Sequence, residues 1–304
     1  MQGNEHIFII SQPRAGSTLL QSLLSNNTYV NTVSEPWILL GLAPLLRSSL
    51  VLAKYDYNIA IDAISQIESQ YDFKIANAVK RIADDYYNQL LKGGYQYVLD
   101  KTPRYYEILH IITRLYPQAK IIILKRNPVD VVLSLIKKRN IVKASNLLWN
   151  NRDLLNAPYL MQEFLENHKS SASVIQVRYE DLISTPEAVI SSLYDAVKIP
   201  FTKDVLQLAT NKKVQGKYGD QNIQSADFST VVEETSKPSL TGEMEEFIQG
   251  YTNFLGKDFL QRYGTYSVSN LGEKATRVFD DYLHEATIQN ENFDRSIYNK
   301  FKKA

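Results

Sequence analysis

Residues 7–20 read IFIISQPRAGSTLL, in which two apolar runs are separated by a short polar turn. This pattern predicts a buried strand, a tight turn and the start of a helix. Backbone N–H groups at a helix start lack partners within the helix, and the helix dipole adds partial positive charge there, so phosphate or sulfate binds readily. We therefore interpret the turn as an anion site whose candidate ligands are Arg14, Ala15, Gly16, Ser17 and Thr18.

The turn differs in one respect from the phosphate loop of ATP-binding proteins. That loop ends in Gly-Lys-Ser/Thr, where the Lys reaches the terminal phosphates and the hydroxyl holds magnesium. No Lys occurs between residues 1 and 53, and Arg14 is the only cation in the turn. The missing Lys argues against a P-loop kinase. A kinase stays an alternative because it would share the expected strand, turn and helix.

A second stretch has the same organisation. Residues 120–126 read KIIILKR, an apolar strand pattern that ends in cations, and Asn127 and Pro128 then suit the start of a helix. Ser134 follows Arg126 by eight residues, which is about two turns of helix. We expect Arg126 and Ser134 to converge on one anion.

Strand-like apolar runs alternate with helical patterns along much of the chain. The runs occupy residues 7–10, 97–100, 121–125 and 174–179. This alternation predicts an α/β fold with a parallel sheet flanked by helices, in which ligands bind at the carboxyl ends of the strands. A long, mostly helical insert is expected between Glu35 and Asp100.

Composition indicates one globular unit. The chain has 304 residues, of which 44% are hydrophobic, and we expect a single domain over residues 1–304, with its core over about 5–264 and a C-terminal extension over about 267–304. Apolar residues at positions 278, 279, 282 and 283 predict a helix in the extension that packs back on the domain. A homodimer contact there stays open.

Charge and cysteine content limit the classes of partner. The net charge of +1 predicts no general attraction to nucleic acid or to a membrane surface. The chain has no Cys and no apolar signal before Ile7, which fits a cytoplasmic protein. Metal chemistry is not expected, because the four His show no paired ligand spacing.

Together the motifs resemble those of the sulfotransferases that transfer a sulfonate group from 3′-phosphoadenosine 5′-phosphosulfate (PAPS). Residues 13–19 are similar to the family's loop for the 5′-phosphosulfate, and Arg126 with Ser134 is similar to its 3′-phosphate site. The resemblance covers about residues 5–264 and implies the P-loop-like sulfotransferase fold. It also implies that PAPS is the donor, that 3′-phosphoadenosine 5′-phosphate (PAP) is the product, and that no metal takes part.

Two further motifs and a late loop extend the resemblance. Residues 100–105, DKTPRY, are similar to the strand-end motif that directs Lys101 at the sulfonate. Residues 178–182, RYEDL, match a family segment whose Tyr179 lies near the nucleotide. The loop that leads to Lys237 resembles the family's nucleotide-covering loop, which makes Lys237 a candidate ligand.

The resemblance also implies a general base, and here the family's branches differ. In the small-molecule cytosolic branch a His follows the strand-end Lys by two positions, and Pro103 stands there in this chain. In the branch of protein-tyrosine and many bacterial enzymes a Glu after the first helix takes that role, and Glu35 stands at the matching place, twenty-one residues after Arg14. We therefore predict Glu35 and Lys101 as the catalytic residues. Without the motif, Glu35 would be interpreted as the start of a helix over 36–46.

The implied reaction is in-line transfer of sulfonate to a hydroxyl or amine of a small-molecule or natural-product acceptor. A carrier-bound hydroxyacyl chain and a protein tyrosine stay open as acceptors. A non-catalytic nucleotide-binding module is the second alternative to this enzyme. Such a module would keep the anion sites but would have no use for Glu35 and Lys101 at the point of transfer.

Overall fold

The central feature of the computed structural model is one sheet of five parallel strands. The structure describes residues 5–47, 57–207, 214, 238–264 and 273–289. The strands are β1 (His6–Ser11), β2 (Val30–Ser34), β3 (Tyr97–Lys101), β4 (Lys120–Lys125) and β5 (Val174–Arg178). They pair in the order β2-β3-β1-β4-β5, so the strand order reverses at the central strand, β1. In open α/β sheets, ligands bind beside the carboxyl end of the strand where this reversal occurs.

The central strand shows why helices are needed on both faces of the sheet. All six residues of β1 are buried. Successive side chains of a strand point to opposite faces. Accordingly, Phe8 and Ile10 pack into one hydrophobic cluster, and Ile7 and Ile9 pack into another. A parallel strand covered on both faces therefore has a continuous apolar sequence.

Helices connect the strands and cover the sheet. Those in the first half of the chain are α1 (Ser17–Ser25), α2 (Ile38–Leu42), α3 (Tyr57–Gln70), α4 (Ile75–Leu90), α5 (Leu109–Leu115) and α6 (Pro128–Arg139). Those in the second half are α7 (Asn151–Leu155), α8 (Ala157–Asn167), α9 (Tyr179–Ser184), α10 (Pro186–Val197), α11 (Gly242–Leu255), α12 (Lys257–Gln261) and α13 (Glu273–Gln289). Short 3₁₀ helices occur at Ala43–Leu45, Pro103–Ile108, Ala144–Asn150 and Lys203–Leu206. No helix in the described part of the chain is long and apolar enough to cross a membrane.

The last described helix packs against α11. Phe279 and Tyr282 of α13 are almost completely buried, and their ring centroids lie 5.5 and 4.9 Å from that of Phe247 in α11. Aromatic pairs at these separations add to the stabilisation that burial provides. The helix predicted from positions 278–283 is therefore present, and it packs back on a preceding helix.

The four predicted strands are present and parallel, which confirms the α/β fold predicted from the sequence. The insert between Glu35 and Asp100 is helical over much of its described part, as expected. The strand β2 is not predicted from the sequence; its five residues, VNTVS, alternate buried and partly buried side chains. This short strand lies at the edge of the sheet, where polar residues are common, and it lacks the apolar run that marks the other strands.

Candidate active site

The predicted site residues lie mostly at the carboxyl edge of the sheet. Parallel strands bring these ends to one edge, and the pairing register places Lys101 opposite both Ile9 and Ser34. Each strand contributes to this edge. At this edge lie the turn over residues 14–18 after β1, Glu35 after β2, Lys101 at the end of β3, Arg126 after β4 and Tyr179 after β5.

The turn after β1 is built around two residues in the left-handed region. Arg14 has a φ of 74° and Gly16 has a φ of 94°, a conformation that glycine adopts with little strain. Gly16 is the N-cap of α1, so no side chain caps the first N–H groups of this helix from that position. Ser17 and Thr18 are buried at the helix start. The turn therefore has the helix start that the predicted anion site requires.

A second constraint on Gly16 comes from the ring of Tyr179. A Cβ atom placed on Gly16 would lie 2.4 Å from both Cδ2 and Cε2 of that ring. Carbon atoms do not approach this closely without displacement of one of them. Glycine is therefore required both by its backbone conformation and by the close approach of Tyr179 from α9.

Arg126 connects the two predicted anion sites. Its Nη1 donates a hydrogen bond of 3.0 Å to the backbone carbonyl oxygen of Arg14. Its guanidinium carbon lies 4.4 Å from the ring centroid of Tyr179, a cation–π contact. A guanidinium has five N–H donors, so the bond to Arg14 uses only one of them.

The loop that carries Arg126 is fixed by its neighbours. The backbone N–H of Asn127 donates to Glu180 Oε1 at 3.0 Å, and the side-chain oxygen of Asn127 caps α6 by accepting from the N–H of Val129 at 2.9 Å. Sequence analysis does not assign this role to Glu180. Glu180 belongs to the RYED sequence, which begins at Arg178, the last residue of β5.

Ser134 and Lys237 are the predicted ligands whose roles the described contacts do not test. Ser134 lies within α6 with a half-buried side chain. Its convergence with Arg126 on one anion stays a prediction. Lys237 lies outside the described residues, as do residues 216–220 of the loop that leads to it.

Lys101 and Glu35 form a direct ion pair. Lys101 Nζ donates to Glu35 Oε1 at 2.9 Å, with the Lys side chain fully buried and the Glu side chain 15% exposed. The contact follows from the pairing of β2 with β3, which places Ser34 opposite Lys101. The two predicted catalytic residues are therefore in contact although 66 positions separate them in the sequence.

The chain turns sharply directly after Glu35 and Pro36. Trp37 has a φ of 58° and a ψ of 5°, in the left-handed region. For a residue other than glycine this conformation costs on the order of 1–2 kcal/mol. Such strain persists only where surrounding contacts hold the residue in place.

The contacts that hold this turn come from the segment after β3. The N–H of Leu39 donates to the hydroxyl of Tyr105 at 3.1 Å, and the N–H of Trp37 makes a longer contact of 3.5 Å with Thr102 Oγ1. Tyr105 and Thr102 are fully buried. The start of α2 is therefore capped by a side chain that lies 66 positions further along the chain.

Asp100 lies at the centre of these contacts. Its Oδ1 accepts from Thr102 Oγ1 at 2.8 Å, and its Oδ2 accepts from the hydroxyls of Tyr105 and Tyr87 at 3.0 and 2.6 Å. Burial raises the pKa of Asp100 from 3.8 to about 6, while the three hydrogen bonds and the charge of Lys101 oppose that rise. The sequence places Asp100 in the strand-end motif but does not show these partners.

Asp153 forms a second buried carboxylate centre beside the site. Arg104 donates to it from Nε and Nη2 at 2.9 and 2.7 Å, and Tyr106 donates at 2.8 Å. Its backbone carbonyl accepts from the Gln12 side chain at 2.9 Å, and the Arg104 guanidinium lies 5.6 Å from the ring centroid of Trp37. The hydrogen bonds with Asp153 raise the pKa of Arg104. Asp153 thus joins the turn after β1 to the turn after β2, and no local sequence pattern marks it.

A family model described as the sulfotransferase family matches residues 6–203. The chain belongs to the sulfotransferase family. The resemblance drawn from the motifs is confirmed at the level of the family, and the assignment to the branch with a Glu base stays a prediction.

Two curated relatives match parts of this sulfotransferase. Nodulation protein NoeE of Sinorhizobium fredii is 34% identical over 139 residues, which are 42% of this chain and 30% of that protein. An uncharacterized protein of Aquifex aeolicus is 24% identical over 216 residues, which are 68% of this chain and 27% of that protein. The chain therefore spans less than a third of the length of these relatives.

A solved structure shares the fold of this sulfotransferase. The sulfotransferase domain from the curacin biosynthetic pathway aligns with a TM-score of 0.51 at 20% identity, over 90% of this chain and 96% of that domain. This likeness supports the α/β fold. In the described part of the sulfotransferase, no group of three or more His, Asp or Glu side chains is placed to hold a metal ion, and a reaction without metal stays a prediction.

Proposed function

We propose that this sulfotransferase transfers a sulfonate group from PAPS to a hydroxyl or amine of a small-molecule or natural-product acceptor. The observation that carries the proposal is the contact between Lys101 and Glu35 at the same sheet edge as the turn after β1. A module that only binds nucleotide gains nothing from a buried Lys that contacts a partly exposed carboxylate there.

The residues around the turn after β1 fit the proposed donor. The helix start at Ser17 and Thr18, together with Arg14, would bind the 5′-phosphosulfate. Arg126 and Ser134 would bind the 3′-phosphate, and Tyr179 would lie near the nucleotide, against Gly16. Ala15 would contribute through its backbone, and Lys237 through the covering loop.

The proposed reaction assigns one role to each member of the ion pair. The acceptor oxygen forms a bond to sulfur while the bond between sulfur and the bridging oxygen breaks. The electron pair of the broken bond stays on the bridging oxygen, which leaves as part of the 5′-phosphate of PAP. Glu35 accepts the proton of the acceptor hydroxyl as general base. Lys101 stabilises the charge that develops around the transferred group and the leaving oxygen. By analogy with phosphoryl transfer, positioning and electrostatics supply most of the catalysis.

The chain would act as a single domain over residues 1–304 in the cytoplasm, without a metal and without nucleic acid or membrane as partner. A carrier-bound hydroxyacyl chain and a protein tyrosine remain the alternative acceptors. A homodimer stays open.

Two measurements test the function. Calorimetry should show that PAP binds far more tightly than ADP or ATP, and that magnesium is not required. A panel of alcohols, phenols and amines with ³⁵S-labelled PAPS should then yield labelled product, and Lys101→Ala should yield much less of it. Magnesium-dependent binding of ATP at least as tight as that of PAP would indicate a kinase. Tight PAP binding with no transfer to any acceptor class would indicate a binding module.

A further inference from the structure

The orientation of Glu35 depends on a strained turn at Trp37. The side chain of Glu35 bonds to Lys101 and does not itself stabilise this turn. Trp37 follows Glu35 by two positions and has a left-handed φ of 58°. It is the N-cap residue of α2, and its side chain makes no capping hydrogen bond to the helix. If the turn relaxed, the chain direction after β2 would change. The pairing of β2 with β3 places Ser34 beside Lys101, and the turn then sets the direction of the Glu35 side chain toward Lys101 Nζ.

Tyr105 supplies the hydrogen bond that fixes this turn. Its hydroxyl oxygen accepts from the N–H of Leu39 at 3.1 Å. A hydroxyl has one hydrogen and two acceptor lone pairs. Because Asp100 Oδ2 takes the hydrogen of Tyr105 at 3.0 Å, a lone pair of the hydroxyl faces Leu39. Asp100 thus determines that Tyr105 acts as an acceptor toward the helix start.

Thr102 repeats this arrangement more weakly. Its hydroxyl donates to Asp100 Oδ1 at 2.8 Å and lies 3.5 Å from the N–H of Trp37. The two carboxylate oxygens of one buried Asp100 therefore orient two hydroxyls toward the same turn. All three residues are at most 1% exposed, so water does not compete for these bonds.

We infer that Tyr105, oriented by Asp100, is a positioning residue for Glu35: it fixes the turn over residues 36–39 and through it the contact between Glu35 and Lys101. This inference rests on the proposed function, in which Glu35 is the general base. Tyr105 does not contact the reacting groups in this role. A loss of its hydroxyl should lower kcat while the donor site, built on β1, β4 and β5, stays intact.

Tyr87 provides a matched control. Its hydroxyl donates to the same Oδ2 of Asp100, at the shorter distance of 2.6 Å, and it is equally buried. Its one hydrogen is used by Asp100, while the N–H groups of Trp37 and Leu39 go to Thr102 and Tyr105. Tyr87→Phe and Tyr105→Phe therefore remove the same type of bond from the same carboxylate, but only the second releases the turn.

The kinetic test compares these two variants at saturating PAPS with an aliphatic alcohol that the wild type accepts. Tyr105→Phe should lower kcat by about 10- to 100-fold, the scale on which a small misplacement of a reacting group slows an enzyme. Tyr87→Phe should leave kcat close to that of the wild type, and both variants should bind PAP as the wild type does. Equal losses of kcat in both variants would overturn the inference.

A double variant separates positioning from general damage. If Tyr105 acts through Glu35, adding Tyr105→Phe to Glu35→Gln should lower kcat little further than Glu35→Gln alone. A full additional loss would show that Tyr105 does not act through Glu35. Full activity of Glu35→Gln alone would instead remove Glu35 as the base, which is a failure of the proposed function visible without any change at Tyr105.

A structural measurement keeps the inference testable if no acceptor is found. Hydrogen exchange of the Leu39 amide should become faster in Tyr105→Phe than in Tyr87→Phe at equal thermal stability, because only the first variant removes its acceptor. Unchanged protection of Leu39 in Tyr105→Phe would show that the tyrosine does not hold the turn.

Discussion

Arg126 donates a hydrogen bond of 3.0 Å to the backbone carbonyl oxygen of Arg14, and so joins the loop after β4 to the turn after β1. The strands that carry these residues are neighbours, but the residues are 112 positions apart in the sequence. Arg14, which accepts this bond, has a left-handed φ of 74° within the turn. The two predicted anion sites therefore share a structural element, and a change in one affects the other.

Arg126→Ala should weaken the binding of PAP by about 1.5–3 kcal/mol, the scale of a hydrogen bond to a charged group. The structural bond to Arg14 complicates this variant, so ADP, which lacks the 3′-phosphate, serves as the control ligand. We expect calorimetry to show a clearly smaller loss for ADP. Equal losses for the two ligands would mean that Arg126 acts only by holding the turn after β1.

Lys101→Ala should lower kcat by about 10²–10³, the range found when one electrostatic donor is removed from a transition state. The affinity for PAPS should change much less, because the interaction forms mainly as charge develops. Lys120→Ala is a suitable control, since Lys120 starts β4 and its Nζ donates to the carbonyl of Ala172 at the surface. An unchanged kcat with a raised KM for PAPS would contradict the role of Lys101.

Glu35→Gln keeps the shape of the side chain and removes its basicity. Turnover of an aliphatic alcohol should fall by about 10²–10⁴, the usual contribution of a positioned general base. PAP affinity should stay close to that of the wild type, because Glu35 lies outside the proposed donor site, whereas thermal stability should fall, because the fully buried Lys101 loses its charged partner. If the variant keeps full activity across the pH range, the base lies elsewhere, and His110, on the exposed side of α5, is the next residue to test.

Gly16→Ala should abolish tight PAP binding and reduce stability. The φ of 94° costs about 1–2 kcal/mol for alanine, and the new Cβ would lie 2.4 Å from the ring of Tyr179. Gly41→Ala is the matched control, because its Cβ meets nothing within 4 Å and alanine favours a helix. Calorimetry and thermal unfolding of both variants measure the effect. Wild-type PAP affinity in Gly16→Ala would show that the turn adapts.

Asp100 should make stability depend on pH in a predictable direction. Its pKa of about 6 in the folded protein lies above the ordinary value of 3.8, so the folded state binds the proton more tightly. The free energy of unfolding should therefore fall as the pH rises from about 4 to about 7, by about 2 kcal/mol on the scale of 1.36 kcal/mol per pKa unit. Urea unfolding of the wild type and of Asp100→Asn across this range isolates the contribution. Parallel pH profiles for the two proteins would contradict it.

The parts of the site that sequence analysis predicts are local. A strand, a glycine turn and a helix start lie within residues 7–20, and the same logic applies to residues 120–134. Hydrogen-bonding groups and conformational preferences over such short spans are fixed by nearby residues. The positions of Arg14, Gly16 and Arg126 at the sheet edge could therefore be predicted without knowledge of the rest of the chain.

The parts that sequence analysis misses depend on distant pairing. The edge strand β2 is recognisable only once β3 is present beside it, and it is this pairing that brings Glu35 to Lys101. The bond between Leu39 and Tyr105 spans 66 positions, and the bond between Gln12 and Asp153 spans 141. Nothing in the residues around Asp100 or Asp153 shows which hydroxyl or guanidinium will reach them. Their roles follow from the topology of the sheet.

Glu35 directly follows the edge strand β2, so the proposed base and the proposed donor site lie on opposite sides of the sheet. The proposed donor site is built on the central strand, β1, and on β4 and β5 to one side of it. The proposed base and the insert that follows it come after β2, the outer strand on the other side. Substitutions at exposed positions between β2 and β3 can therefore reshape the acceptor side without removing the contacts that hold Arg14 and Arg126. A library that varies only this insert should yield proteins that bind one nucleotide equally well and differ in the acceptors they use.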